Sequence, residues 1–228
     1  MTRLVWDQTG ERLYETGSDR AVLYLEDEHG AYPKGVAWNG FIGITESPSG
    51  AEETKLYANN SEYVSFRSNE EFGGTITAYT VPDDFKQCDG SLELVPGMSI
   101  GQQTRKRFAL CYRTIIGNDT ETNEHGYKIH IVYKATVSPS EKQYTSINDS
   151  PEAVELSYEF SCGKVDVTGA KPIAHLEFDS TKLSKKAWKA LEDKLYGDDS
   201  TGDDSTGAAQ LPLPDELKQI ITEAGSDM

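Results

Sequence analysis

The chain has 228 residues, with 22 basic and 38 acidic side chains and a formal net charge of −16. So acidic a surface disfavours binding to nucleic acid, which needs basic groups to neutralise its phosphates, and to anionic membranes; solubility is the simplest role of such a charge. The hydrophobic share of 36% is enough for one core. We therefore expect one large β domain, or one domain with an extension.

The sequence also indicates in which cellular compartment the protein is made. No stretch approaches the roughly 20 apolar residues of a membrane span, and residues 1–7 lack the apolar core of a signal peptide. Cys88, Cys111 and Cys162 form no CxxC pair and lie within or beside apolar runs. We expect buried thiols and synthesis in a reducing cytoplasm.

Short β-favouring runs recur along the first 180 residues, separated by clusters rich in Gly, Asn, Asp and Pro. In chain order they cover residues 21–25, 35–38, 41–45, 56–57, 63–66, 75–81, 107–116, 127–133, 153–160 and 173–178. This pattern predicts a mainly β fold, an antiparallel β-sandwich or barrel. A flanking α-helix, a long hairpin arm and a flexible C-terminal extension complete the predicted architecture.

Two of the runs alternate with period two, as half-buried strands do. In residues 127–133 the odd positions are apolar and alternate with Lys128, His130 and Val132, which predicts one partly wet face. Residues 154–160 alternate in the same way against Glu155, Ser157 and Glu159.

The connection after residue 45 is the main candidate for a functional feature. Residues 46–53 have turn chemistry and no apolar side chain larger than alanine. They are too many and too acidic for a two-residue hairpin turn, so we predict an arm that contacts something outside its own domain. The arm residues predicted to make these contacts are Glu46, Ser47, Pro48, Ser49, Gly50, Ala51, Glu52, Glu53, Leu56 and Tyr57.

A second candidate contact is the main basic stretch of the β domain, Arg105, Lys106 and Arg107. These cations could contact phosphate. Three adjacent cations in an acidic protein more often meet carboxylates of the same or a neighbouring chain. We therefore predict a subunit-contact patch here.

The sequence predicts three parts, with both boundaries near the C-terminus. Residues 1–196 form the predicted β domain, with a helix near 184–195 that Ser184 caps and Gly197 ends. Residues 197–210 contain a tandem GDDST repeat without apolar side chains, which predicts an acidic flexible linker. Residues 211–228 predict a short helix or tail, whose small apolar stripe must dock onto this domain or onto a neighbour.

Motifs that would indicate catalysis or metal binding are weak. Residues 97–101 match G-x-S-x-G, but a strand-like run follows where a nucleophile elbow needs a helix, so we interpret them as a turn leading into a β-strand. The four histidines, His29, His125, His130 and His175, are too scattered for a metal set and are more typical of structural roles. We predict no enzymatic activity, no cofactor and no metal.

Many short strings carry a family resemblance. They lie at residues 45–52, 56–58, 70–76, 78–80, 88–90, 101–106, 112–114, 117–120 and 138–142. Together they resemble the major tail proteins, or tail tube proteins, of long-tailed bacteriophages and prophages over roughly residues 1–180. None of the strings has an obligatory chemical mechanism, so their weight lies in their number and order.

The resemblance implies a structural virion protein. Such proteins form hexameric rings that stack into a tube, with a long hairpin loop reaching the adjacent ring, and the tube conducts DNA without binding it specifically. The implied partners are other copies of the chain and tail proteins such as the tape measure, tail terminator and distal tail proteins. The implied location is the virion tail, after synthesis in the bacterial host cytoplasm and without any membrane.

In such a tube, the acidity of the chain would ease the passage of DNA. Six copies at −16 carry −96 per ring, and like-charged walls avoid holding the DNA, with repulsion reaching about one Debye length, ~8 Å in physiological salt. Two other classes stay open: a phage capsid decoration or baseplate protein, and a carbohydrate-binding β-sandwich, which would need exposed aromatic side chains beside acids.

Overall fold

The computed structural model describes residues 3–144, 146, 153–198 and 207–225. Residues 199–206 of the predicted linker and the last three residues of the predicted tail lie outside this set. None of the helices in the described ranges has the length and apolarity that crossing a membrane requires.

Fourteen strands and three α-helices make up the described chain. The strands are β1 (Tyr14–Leu25), β2 (Gly35–Ala37), β3 (Phe41–Glu46), β4 (Ser49–Gly50), β5 (Glu53–Ala58), β6 (Ser61–Arg67), β7 (Glu70–Glu71), β8 (Gly73–Ala78), β9 (Leu92–Val95), β10 (Met98–Ile100), β11 (Phe108–Asn118), β12 (Thr122–Val137), β13 (Leu156–Cys162) and β14 (His175–Asp179). The helices are α1 (Lys86–Asp89), which continues a 3-10 turn at Asp83–Phe85, α2 (Lys185–Tyr196) and α3 (Pro214–Gly225).

One antiparallel sheet dominates the fold, in the order β2-β1-β11-β12-β13-β8-β3, with β14 pairing with β12. The sheet curls until the Ser18 hydroxyl of β1 donates to the Ile42 carbonyl of β3 over 3.2 Å. No ladder joins β1 to β3 among the described strands. The predicted antiparallel β class is thus confirmed, but the described sheet is not a closed barrel.

The concave face of the curled sheet holds an aromatic core. Phe85, from the 3-10 turn, is its hub, with ring centroids 4.6 Å from Trp38, 5.5 Å from Phe108 and 4.9 Å from Tyr158. Phe85 is fully buried. The short 3-10/α1 segment therefore closes one end of the core.

The other face of the sheet is covered by helices. Val22 and Tyr24 alternate with Ala21 and Leu23 in β1, and both pairs are buried, one in each core. The even positions of β12 face the concave core rather than the helices, so the partly wet face expected there is largely buried: His130 is 6% and Val132 0% exposed, whereas Lys128 stays partly exposed. In β13 the expected alternation does hold, with Tyr158 and Phe160 buried between exposed polar neighbours.

Helix α2 is the predicted flanking helix. The Ser184 hydroxyl accepts from the Ala187 amide over 3.2 Å, which satisfies one of the free donors at a helix N-terminus. Gly197 ends the helix at φ 94°, a conformation that disfavours side chains. Leu191 and Leu195 are fully buried against the sheet.

The C-terminal segment docks onto its own domain. Leu217 of α3 is fully buried in the same core as Leu191 and Leu195. The Tyr133 hydroxyl donates to the Pro212 carbonyl over 2.9 Å, and the Asp215 carboxylate accepts from the Thr168 hydroxyl over 2.7 Å. This last hydrogen bond is the main cause of the lowered pKa of Asp215. Of the two docking options left open by the sequence, the structure shows docking onto the same chain.

All three cysteines are free. Cys88 and Cys111 are buried, as expected, whereas Cys162 is only partly buried. Burial raises the pKa of each thiol to about 12. Since the thiolate is the nucleophile, these residues are protected against modification near neutral pH.

The docking of α3 can be tested with Leu217→Ala. Removing a fully buried leucine costs about 2–5 kcal/mol, and denaturant unfolding should show a loss of stability in that range. Leu213→Ala is the matched control, because Leu213 lies in the same segment but is exposed. Equal stabilities of the two variants would contradict the docking of α3 against α2.

Candidate functional site: the hairpin arm and its root

A long hairpin, residues 47–72, is exposed along almost its whole length, and we call it the arm. The chain leaves the main sheet at Glu46, the end of β3, and returns at Gly73, the start of β8. Within the arm, β4 pairs with β7 and β5 pairs with β6, both antiparallel. The arm is therefore a narrow two-stranded ribbon that extends the β3–β8 pair.

The chain reverses later than the sequence suggested. The turn is Asn59-Asn60, with φ of 50° and 60°, a left-handed pair typical of a type I′ hairpin. Residues 46–53 do not form the connection; Gly50 and Ala51, with φ of 82° and 56°, bend the ribbon between β4 and β5. The β-favouring run at residues 63–66 belongs to β6, the returning strand of the arm itself, outside the main sheet.

The predicted arm residues are thereby placed. Glu46 ends β3, Ser47 and Pro48 lead out, Ser49 and Gly50 form β4, and Ala51 and Glu52 connect β4 to β5. Glu53, Leu56 and Tyr57 belong to β5. The Ser47 amide donates to the Gly73 carbonyl over 2.8 Å, so the two chains of the arm stay paired where they leave the sheet.

One face of the ribbon is apolar. Leu56 lies opposite Val64, and Thr54 lies opposite Phe66, and side chains directly opposite each other share a face. Leu56, Val64 and Phe66 are 48%, 41% and 51% exposed. Every residue of β5 and β6 is exposed. The arm therefore carries an apolar face that the chain itself leaves open to solvent.

The arm and its root are acidic. Residues 46–72 carry six carboxylates and two cations. The acids are Glu46, Glu52, Glu53, Glu62, Glu70 and Glu71, and the cations are Lys55 and Arg67. One pair is internal, with Lys55 Nζ 2.9 Å from Glu62 Oε2. The other five carboxylates outnumber the one other cation, Arg67, so the ribbon carries a net negative charge.

A second exposed hairpin, formed by β9 and β10, lies elsewhere on the molecule. Leu92, Leu94, Val95 and Met98 are all exposed on it. Ser99 lies in β10, a strand of a two-stranded hairpin. This placement confirms the interpretation of residues 97–101 as a turn and strand, because a nucleophile elbow requires a helix after the serine.

The basic stretch adjoins this second hairpin. The Lys106 amide donates to the Gln87 carbonyl over 2.9 Å, and the Arg107 carbonyl accepts from the Glu26 amide over 3.1 Å, so the backbone is fixed. Arg105 is partly buried, and its Nε has no hydrogen-bond partner in the described chain. Within the same ranges Arg105, Lys106 and Arg107 form no ion pair shorter than 4 Å.

The two exposed hairpins lie near opposite ends of β3. The Phe41 end of that strand packs on Trp38 with centroids 6.4 Å apart, next to Phe85 and α1, from which the second hairpin starts. The Glu46 end leads into the arm. A strand of this length spans about 17 Å, so the acidic arm and the basic, apolar surface leave the domain from separate ends.

Four stacked rings support the root of the arm. Tyr112 stacks on His130 at 4.8 Å, His130 on His175 at 5.5 Å, and His175 on Phe72 at 4.9 Å between ring centroids. Phe72 is the last arm residue before β8. The column thus connects the returning chain of the arm to β11, β12 and β14.

The outgoing chain of the arm meets the same column. The Tyr112 hydroxyl donates to Glu46 Oε1, and burial, followed by this carboxylate, raises the pKa of Tyr112, so the hydroxyl keeps its proton. Burial lowers the pKa of His175, although Glu46 opposes the shift. Neutral His175 is therefore favoured at the arm root.

The approach of His130 to His175 was not predicted from the sequence. His130 and His175 are 45 positions apart, and only the pairing of β14 with β12 brings them together: His175 lies opposite Val132, and Glu177 lies opposite His130. The available signal was weak. It consisted of a histidine in each of two strand-like runs, with no indication that those strands are neighbours.

The chain was also compared with known proteins. No protein-family model matches the sequence, and no curated protein matches it. Among solved structures, it is similar to a chain of the anti-feeding prophage baseplate, with 7% identity and a TM-score of 0.36 over 77% of this chain and 97% of that chain.

Two further similar structures belong to an extracellular contractile injection system, PVC. One is in its sheath/tube terminator in the extended state, with 10% identity and a TM-score of 0.33 over 77% of this chain and 99% of that chain. The other is in its extended sheath-tube complex, with 11% identity and a TM-score of 0.29 over 70% and 88%. All three neighbours come from prophage or injection-system assemblies.

Limited proteolysis tests whether the arm is open. In dilute, monomeric protein, trypsin should make its first internal cuts after Lys55 and Arg67, because strands that bury no side chain open at low free-energy cost. Arg113 is the internal control, since it is buried and pairs with Asp19 at 2.7 and 2.6 Å. Mass spectrometry identifies the sites, and cleavage after Arg113 as early as after Lys55 would contradict an open arm.

Proposed function

We propose that the protein is a structural subunit of a phage-type tail tube. Copies of the chain form hexameric rings, the rings stack, and the resulting conduit carries DNA during ejection. The observation that carries the proposal is the arm, a ribbon with an exposed apolar face that leaves the domain opposite a second exposed apolar hairpin.

An uncovered two-stranded ribbon is marginally stable in water, and both of its outer edges present unpaired backbone groups. Burying Leu56, Val64 and Phe66 would offset the cost of ordering the arm. In the single chain every side chain of β5 and β6 is exposed to solvent. Only a partner molecule could therefore bury these three side chains.

A second copy of the chain fits as that partner. The arm is acidic and apolar, whereas the other end of the domain offers Arg105, Lys106 and Arg107 beside the apolar β9–β10 hairpin. Opposite charge fixes the orientation of such a contact and speeds its formation. A contact between two different surfaces of the same protein does not close on itself when the operator is a translation, so it extends into a filament.

The charge of the chain suits a conduit for DNA. Each phosphate contact with a lysine or arginine adds affinity, and many such contacts along a tube would hold the genome. Pairing of the basic stretch with the arm of a neighbour would remove the main cationic patch of the β domain from the surface. We expect the bore to be richer in Asp and Glu than in Lys and Arg.

Within the virion, the tube subunit would contact other tail proteins of the tape measure, tail terminator and distal tail types. A decoration or baseplate protein remains the alternative class. The two differ in self-assembly: a tube protein forms rings or tubes by itself at high concentration, whereas a decoration protein stays small until capsid is supplied.

Electron microscopy and sedimentation velocity of the concentrated protein test the proposal. We expect the wild type to form rings and stacked tubes. Replacing two apolar arm residues, Leu56→Ser with Phe66→Ser, should abolish stacking, because both side chains lie on the face that a neighbour would bury.

Ser65→Ala is the matched control. Ser65 belongs to the same hairpin, is exposed, and points to the opposite face because it lies between Val64 and Phe66 in the regularly paired part of β6. It should assemble as the wild type does. A wild type that remains monomeric at every concentration, or arm variants that assemble normally, would overturn the proposal.

A further inference from the structure

Three strands bring candidate metal ligands together at the arm root. Glu46 ends β3, His130 lies in the middle of β12, and His175 begins β14. Their donor atoms all lie within 4.8 Å of one another. The β12–β14 register fixes the two imidazoles on one face of the sheet, and the curl of the sheet brings β3 across that face.

The distances match a metal site. His130 Nδ1 is 3.3 Å from His175 Nε2, and Glu46 Oε1 is 3.9 Å from the first nitrogen and 3.8 Å from the second. The centre of a triangle with these sides lies about 2.1 Å from each corner, which is the length of Zn–N and Zn–O bonds. An ion at that point is at bonding distance from all three atoms; because the two imidazoles are stacked at 15° and their lone pairs lie in the ring planes, binding would require the rings to turn toward the ion.

The surrounding groups orient the ligands as in known metal sites. His130 Nε2 is 3.0 Å from Thr114 Oγ1 and 3.4 Å from Glu15 Oε1, so this nitrogen carries the proton and leaves Nδ1 free to bind. Metal-bound histidines commonly donate their other nitrogen in this way. Tyr112 similarly donates to the Glu46 carboxylate.

Access for a fourth ligand is also present. Clefts of about 410 and 430 Å³ lie on either side, one lined by Glu46 and His175, the other by Glu46 and His130. Glu177 Oε2 is 3.8 Å from His130 Nδ1 but lies outside the group of three, so water from a cleft would be the fourth ligand. Two imidazoles select ions of the zinc class over Ca²⁺ and Mg²⁺, which prefer all-oxygen sites.

We infer that Glu46, His130 and His175 bind one divalent transition-metal ion, of which Zn²⁺ is the natural probe. Such an ion joins β3 to β12 and β14 where the arm leaves the sheet. With Phe72 stacked on His175, it would fix both chains of the arm root. The inference stands apart from tube assembly, because binding is measured on the monomer.

The test is calorimetric titration of the tag-free, full-length, chelator-treated protein with Zn²⁺. We expect one ion per chain. Glu46→Gln and His175→Gln should each raise the dissociation constant at least about tenfold, and Zn²⁺ should raise the melting temperature of the wild type but not of these variants. Titration with Co²⁺ reports tetrahedral geometry by its visible absorption.

His125→Gln is the control for binding by a surface histidine. His125 pairs with Glu121 at 2.6 Å, outside the cluster, so its loss should leave zinc binding unchanged. If His175→Gln fails to fold, Glu46→Gln carries the test alone, because that side chain is 35% exposed. The inference is overturned if the wild type binds no zinc, if Glu46→Gln binds it equally well, or if His125→Gln abolishes binding.

Discussion

Burial of the β1–β11–β12 ladder on both faces is the constraint on which the rest of the structure depends. Each of these strands places apolar side chains on both sides, as Leu23 and Tyr24 do in β1. A single sheet cannot bury both of its own faces, so other elements must cover at least one of them. The concave side is closed by curling β13, β8 and β3 around Phe85, and the convex side needs α2. The C-terminal helix α3 docks for the same reason, since Leu217 completes that second layer.

The arm is the opposite case. Its strands are paired, with one register shift after Leu56, yet every residue of β5 and β6 is exposed, and the main packing near the arm is the ring column at its root. Because the fold covers its central ladder so completely while leaving Leu56, Val64 and Phe66 in water, we propose that another molecule covers these side chains. The acidic arm and the basic end of the domain are complementary in charge, which favours another copy of the same chain.

The sequence predicted what local patterns determine. The antiparallel β class, the α2 helix with its Ser184 cap and the β13 alternation all follow from short-range periodicity and capping. Features that depend on which strands are neighbours were not predictable. His130 looked half-exposed because a period-two pattern does not reveal a second covering layer, and its approach to His175 depends on the β12–β14 register. The arm was expected from its polar segment, but Pro48 to Ala51 dominated the turn signal and concealed the tighter Asn59-Asn60 turn.

Cross-linking between chains tests the central claim most directly. The native thiols are protected by burial, so Phe66→Cys and Met98→Cys supply the reactive thiols in two separate variants. Mixed at high concentration with a short bifunctional maleimide, they should give a cross-linked pair containing one chain of each, whereas each variant alone should give little. The account is contradicted if the mixture gives no such pair. It is equally contradicted if a dilute double variant forms the link between its two introduced thiols within one chain, because the arm would then fold onto its own domain.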